Sequence, residues 1–117
     1  MSNGYHEDNL SEKTMNMHRA ITSLKEELEA VDWYNQRADA TEDAELKAVL
    51  EHNRNEEIEH AGMLLEYLRR NMPEFNEELA TYLFKTAPIT EIEEGEAEDG
   101  NAADNDSGGT LGIGGMN

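Results

Sequence analysis

Met17, Ile21, Leu24, Leu28 and Val31 recur at alternating spacings of four and three, which keeps them on one side of an α-helix. Ser11 stands where an N-cap is needed, so the first helix is predicted to start just after it. At roughly 100° per residue, Ala20, Glu27, Tyr34 and Ala38 share one edge of that apolar stripe. A second stripe runs through Leu46, Leu50, Asn53, Glu57, His60, Leu64 and Tyr67, again at spacings of four and three, with Leu68 beside it. Thr41 and Asp43 can each cap this helix, and Arg69 and Arg70 suit its C-terminal end. The connection between the two is short, which predicts an antiparallel hairpin. After Pro73, residues Phe75, Leu79, Tyr82 and Leu83 line one face of a third, shorter helix that ends before Pro88.

The flanks carry no such periodicity. Residues 1–10 are polar and are expected to be disordered. From Glu91 onward there are eight acids and no base, too polar to bury a core, so 89–109 is expected to be a flexible acidic linker. The ending GTLGIGGMN differs again, with Leu111, Ile113 and Met116 set among glycines. These shifts divide the chain into an N-terminal segment 1–10, a helical domain 11–88, a linker 89–109 and a C-terminal peptide 110–117. No internal repeat of the solenoid type is present.

Composition narrows the reading. At 117 residues and 37% hydrophobic, a lone chain has little to bury, so self-association is expected. The formal charge of -18 argues against nucleic acid and anionic membranes as partners. No cysteine is present, which removes disulfides and thiolate metal sites. No apolar run approaches the roughly 20 residues of a membrane span, and the first residues lack the basic and apolar stretches of a signal peptide. A bacterial-type cytoplasmic protein is the expectation.

The chemistry lies in the interruption of the second stripe. Glu57 points within about 20° of Leu46, Leu50 and Leu64, at the centre of the apolar face rather than its rim. An unpaired carboxylate there costs several kcal/mol, so a proton, a cationic partner or a metal must neutralise it. His60 follows one turn later, where i and i+3 side chains are roughly 5–6 Å apart and can reach one ion. Glu27 on the first helix can face the same space. Carboxylates with imidazole suit iron, manganese or zinc. A Glu and a Glu-x-x-His per hairpin is half of the set used by di-iron four-helix bundles, and two hairpins about a two-fold axis would complete it. The competing reading is an interior ion pair between protonated His60 and Glu57. His6, His18 and His52 are expected to be solvated, and Trp33 to serve in packing.

The segments EELEAVDWYNQRAD and HNRNEEIEHAGMLLEYLRR, followed by TYLF and Pro-Ile-Thr, closely resemble the encapsulated ferritins, cargo ferroxidases of encapsulin nanocompartments. The similarity spans about residues 11 to 92. It implies an all-α fold in which a two-helix hairpin plus a short third helix forms a ferritin-like four-helix bundle by dimerisation. It also implies that homodimers close into an annular decamer with an iron centre between subunits. By the same resemblance, Glu27, Glu57 and His60 match the iron ligands, Tyr34 the adjacent tyrosine, and Trp33 the tryptophan preceding it. Glu26 and Glu29 match acids at the point where metal enters. The segment Leu111-Gly112-Ile113-Gly114 matches the family's targeting peptide, although Gly115-Met116 replaces its Ser-Leu and no basic residues follow. Residues 110–117 are therefore expected to dock on an encapsulin shell in a bacterial or archaeal cytoplasm.

The implied activity is Fe(II) oxidation by dioxygen, with Glu57 bridging two irons and Glu27 and His60 completing each shell. The alternatives are a non-catalytic metal-binding helical scaffold and an adaptor whose working part is the tail.

Overall fold

The computed structural model describes residues 4–95, and all of its regular elements are helical. Two compact units divide the chain, Met1–Pro73 and Glu74–Asn117. The segment expected to form one helical domain, 11–88, is thus shared between them. Residues 110–117, expected to be a targeting peptide, lie outside the described residues.

The first unit is a hairpin of α1 (Glu12–Ala40) and α2 (Ala44–Asn71). Ser11 caps α1, its hydroxyl accepting the Thr14 amide at 3.1 Å. Of the two candidate caps for α2, Asp43 does the work: its carboxylate accepts the Glu45 and Leu46 amides at 2.9 and 3.1 Å. Thr41 instead caps the end of α1 and accepts the Asp43 amide at 3.2 Å, so both residues tighten one short turn. Arg54 donates to Asn35 at 2.9 Å, and His60 lies opposite Glu27. As α2 advances, its partners on α1 recede, so the helices are antiparallel. Near the end of α2, Glu66 accepts from Arg69 and Arg70 at 2.8 and 2.6 Å. Hydrogen bonds from Arg69, then Arg70, outweigh the opposing effect of burial and pull the Glu66 carboxyl down to about 2.

The core of the hairpin differs from the sequence reading. Its buried hydrophobic residues are Met17, Ala20, Ala38, Ala61 and Leu68, mostly small side chains. Ile21 and Leu28, expected on the inner face, are 38% and 53% exposed, and Leu46 is 47% exposed. The reason is geometric: a helix in a hairpin has one neighbour, and one neighbour cannot cover a stripe wide enough for a bundle. Trp33, Val49, Ile58 and Met63 are exposed as well. Among the described residues no helix is long and apolar enough to cross a membrane.

Residues 1–10 were expected to be disordered, and within the described part of this segment the structure gives Tyr5 a contact. The Tyr5 ring lies 4.7 Å from that of His18, an imidazole expected to be solvated and in fact half-buried. Gly4 has a φ of 76°, which favours glycine, and a Cβ there would press on the His18 ring at 3.1 Å.

In the second unit, α3 (Pro73–Tyr82) begins at the proline that closes the hairpin unit. Lys85 donates to the Ala80 and Thr81 carbonyls at 3.1 and 2.7 Å, placing a cation at the C-terminal end of α3. Phe84 takes a left-handed φ of 61°, the conformation in which many helices end. A further short helix, α4 (Ile89–Glu93), starts at Pro88 and buries Ile92. It falls at the beginning of the segment expected to be a flexible linker. The run of acids concealed a single turn anchored by one apolar residue.

Candidate metal centre

Glu27 is held by α1, and Glu57 and His60 by successive turns of α2. One ligand-type atom from each lies within 4.8 Å of the others. His60 Nδ1 stands 3.4 Å from Glu57 Oε1 and 3.5 Å from Glu27 Oε1, near both carboxylates but beyond a good hydrogen bond to either. The Glu27 Oε1 atom is sealed from solvent and has no hydrogen-bond partner. A buried acceptor left in this state is costly and is relieved by a donor or a cation. The side chains of both glutamates are only 25% exposed.

Electrostatics describe the same convergence. The neighbouring Glu57 carboxyl, by hydrogen bonding, and then burial push the Glu27 carboxyl above its ordinary range. His60 is pulled both ways: burial would lower its pKa, but Glu57 and Glu27 together outweigh it and the imidazole holds its proton more tightly than usual. In the metal-free chain Glu27 and His60 therefore both hold their protons more tightly than usual. A divalent cation would replace those protons with a charge equal to the acids' own.

That exchange gives a pH dependence of known sign. A raised pKa means that His60 and Glu27 stay protonated to higher pH, and a metal must displace those protons. Zn(II) affinity is expected to be greatest above the His60 range and to fall as pH drops through it. Titration calorimetry in two buffers of different ionisation heat should register proton release on binding; binding without release would contradict this protonation scheme.

The donor set of two carboxylates and an imidazole fits iron, manganese or zinc, and its chemistry is satisfied by such an ion. Three donors leave an ion under-coordinated, which is why one hairpin reads as half a site. The remaining sequence candidates lie nearby or apart. Tyr34 is half-buried two turns along α1, its ring 5.7 Å from the Arg37 guanidinium, which also lies 5.8 Å from the Trp33 ring. Trp33 and Arg37, with Gln36, line a cavity of about 190 Å³. Glu26 and Glu29 are exposed. Sequence reasoning passed over Glu56, whose Oε1 lies 4.0 Å from His60 Nε2 and whose Oε2 lies 3.8 Å from His52 Nε2. The signal was present: His52, Glu56 and His60 are spaced four apart, a row along one side of α2.

A family model described as EncFtn-like matches residues 4–86. An encapsulated ferritin-like protein of Rhodospirillum rubrum is 54% identical, covering 98% of this chain and 89% of its own length. A ferritin-like protein of Thermotoga maritima is also 54% identical, with 97% of each chain covered. An encapsulin nanocompartment cargo protein of Myxococcus xanthus is 38% identical over 44% of this chain and 40% of its own. The crystal structure of a Nitrosomonas europaea protein superposes with a TM-score of 0.71 at 61% identity, covering 74% of this chain and 97% of that one.

Proposed function

Because this chain belongs to the EncFtn-like family, we propose that it is a ferroxidase carried as cargo in an encapsulin shell, oxidising Fe(II) to Fe(III) with dioxygen. The observation that supports this best is the meeting of Glu27, Glu57 and His60 around a buried carboxylate oxygen that accepts no hydrogen bond. Iron is the substrate. Two hairpins related by a two-fold axis bring four carboxylates and two imidazoles to a pair of irons, with Glu57 of each chain bridging them. Dimers then close into an annular decamer.

The roles of the residues follow from charge. Anionic carboxylates stabilise Fe(III) more than Fe(II) and so favour loss of an electron from each ion, which dioxygen takes up. His60 supplies a neutral ligand once its proton is displaced. Glu26 and Glu29, with the overall acidic surface, attract cations towards the site. Tyr34 stands beside the irons, its ring braced by Arg37. The coverage of the exposed stripe by a second hairpin meets the shortage of core and the shortage of ligands together.

An aerobic Fe(II) titration with oxygen uptake and mass recorded side by side tests the reading. Oxidation no faster than in buffer would leave a metal-binding scaffold as the better description. The shell assignment has its own test. Deleting residues 110–117 is expected to abolish loading into an encapsulin shell within the cytoplasm while iron oxidation continues. Loading that survives the deletion rules out the tail as the docking element.

A further inference from the structure

His60 faces two ways. Its Nδ1 looks into the Glu27–Glu57 pair at 3.5 and 3.4 Å, and its Nε2 looks towards Glu56 Oε1 at 4.0 Å. Glu56 has a neighbour of its own, its Oε2 lying 3.8 Å from His52 Nε2. An imidazole can ligate a metal only through a nitrogen that has given up its proton, and the other nitrogen then carries the remaining one. A bound metal would take Nδ1. The Nε2–H that is left points along the line to Glu56, the one carboxylate placed on that side of the ring among the ion pairs of His60.

We propose that Glu56 is a positioning residue, accepting the Nε2–H of His60 directly or through one water and so aiming the Nδ1 lone pair at the metal site, with His52 steadying its second oxygen. This rests on the metal reading above. The separations are those of a metal-free chain, in which contacts of this kind are long and tighten when the site fills. Glu56 and His60 lie one turn apart on α2, so closing 4.0 Å takes side-chain rotation alone. The carboxylate also makes the imidazole a better electron donor, because it draws on the proton opposite the ligating nitrogen. Glu56 itself touches no metal and no substrate in this arrangement. His52 limits its wandering: a half-exposed glutamate is otherwise free to turn into water.

The test uses the full chain and Zn(II), which is diamagnetic and does not turn over. Affinity is measured by calorimetry for wild type, Glu56→Ala, Glu56→Gln and His52→Ala. The Nε2–H of His60 is followed by nitrogen-15 NMR in the zinc-loaded proteins and assigned by its loss in His60→Ala. Glu56→Ala is expected to weaken zinc binding roughly 10- to 100-fold, the usual cost of removing such an outer partner. It is also expected to speed exchange of the Nε2–H with water. Glu56→Gln keeps an acceptor without the charge and is expected to restore most of the affinity and the slow exchange. A smaller loss is expected for His52→Ala.

If wild type binds Zn(II) and Glu56→Ala binds it equally well, the positioning role is wrong and the metal site stands. If Gln and Ala are equally weak, Glu56 acts only through its charge, which also overturns the proposal. If wild type binds no Zn(II), the metal reading itself fails and the role of Glu56 falls with it.

Discussion

Glu57→Ala is expected to bring Fe(II) oxidation down to the rate in buffer, and His60→Ala to do the same. Glu57 occupies the centre of an apolar stripe and His60 continues that stripe one turn on, places where an aliphatic side chain would pack better, so neither is there for stability. In the proposed centre Glu57 bridges the irons, and its loss in both chains removes two of the four carboxylates at once. His60 contributes the only non-acidic donor of the cluster. Groups that act as a unit fail together, so the double variant should be scarcely worse than either single one. Both variants are expected to fold, because the two side chains are partly exposed and make no hydrogen bond that caps a helix. Oxygen uptake after a pulse of Fe(II), with helix content checked by circular dichroism, measures the effect. Either variant oxidising iron at the wild-type rate would overturn the ferroxidase assignment to these residues.

Leu28→Asp is expected to leave a helical chain that neither assembles nor oxidises iron. Leu28 is 53% exposed on α1, next in sequence to Glu27, and belongs to the stripe that its own hairpin fails to cover. A buried leucine is worth about 1.5–3 kcal/mol relative to an exposed one, and an aspartate in its place would carry a charge into the contact. A two-fold axis doubles the penalty, since the same residue enters from both sides. In wild type, metal and assembly should support each other, because ions that bind only the assembled form shift the equilibrium towards it. Sedimentation with and without Fe(II) reads both effects: a rise in mass for wild type, and none for Leu28→Asp. A monomeric Leu28→Asp chain with wild-type iron oxidation would show that one hairpin suffices.

Much of this was legible in the chain itself. Spacings of four and three gave α1 and α2, and the short connection gave their antiparallel pairing, because helical periodicity depends on local geometry that sequence records directly. The same periodicity put Glu27 on an edge of the first stripe and Glu57 and His60 within the second, and the structure brings the three together. What it could not show was how far each stripe would be covered, since Ile21, Leu28 and Leu46 look equally apolar whether one helix or three pack against them. Local features were lost to averaging: α4 hides in an acidic run that is polar on the whole, although Ile92 is buried. Tyr5 against His18 was invisible because a single aromatic in a polar segment has no period. Glu56 was passed over among many acids, and only the side of His60 that it faces sets it apart.

The meeting of three donors on one hairpin, too few to close a metal shell, has a consequence for timing. On the proposed reading a newly made chain holds the means to gather iron weakly but not to pair two irons, so reactive oxygen chemistry must wait for a second copy. Specific activity would then climb with protein concentration and vanish on dilution, even though every chain remains folded. Concentration inside a closed compartment would act as the switch, with no regulator other than crowding of the chain with itself.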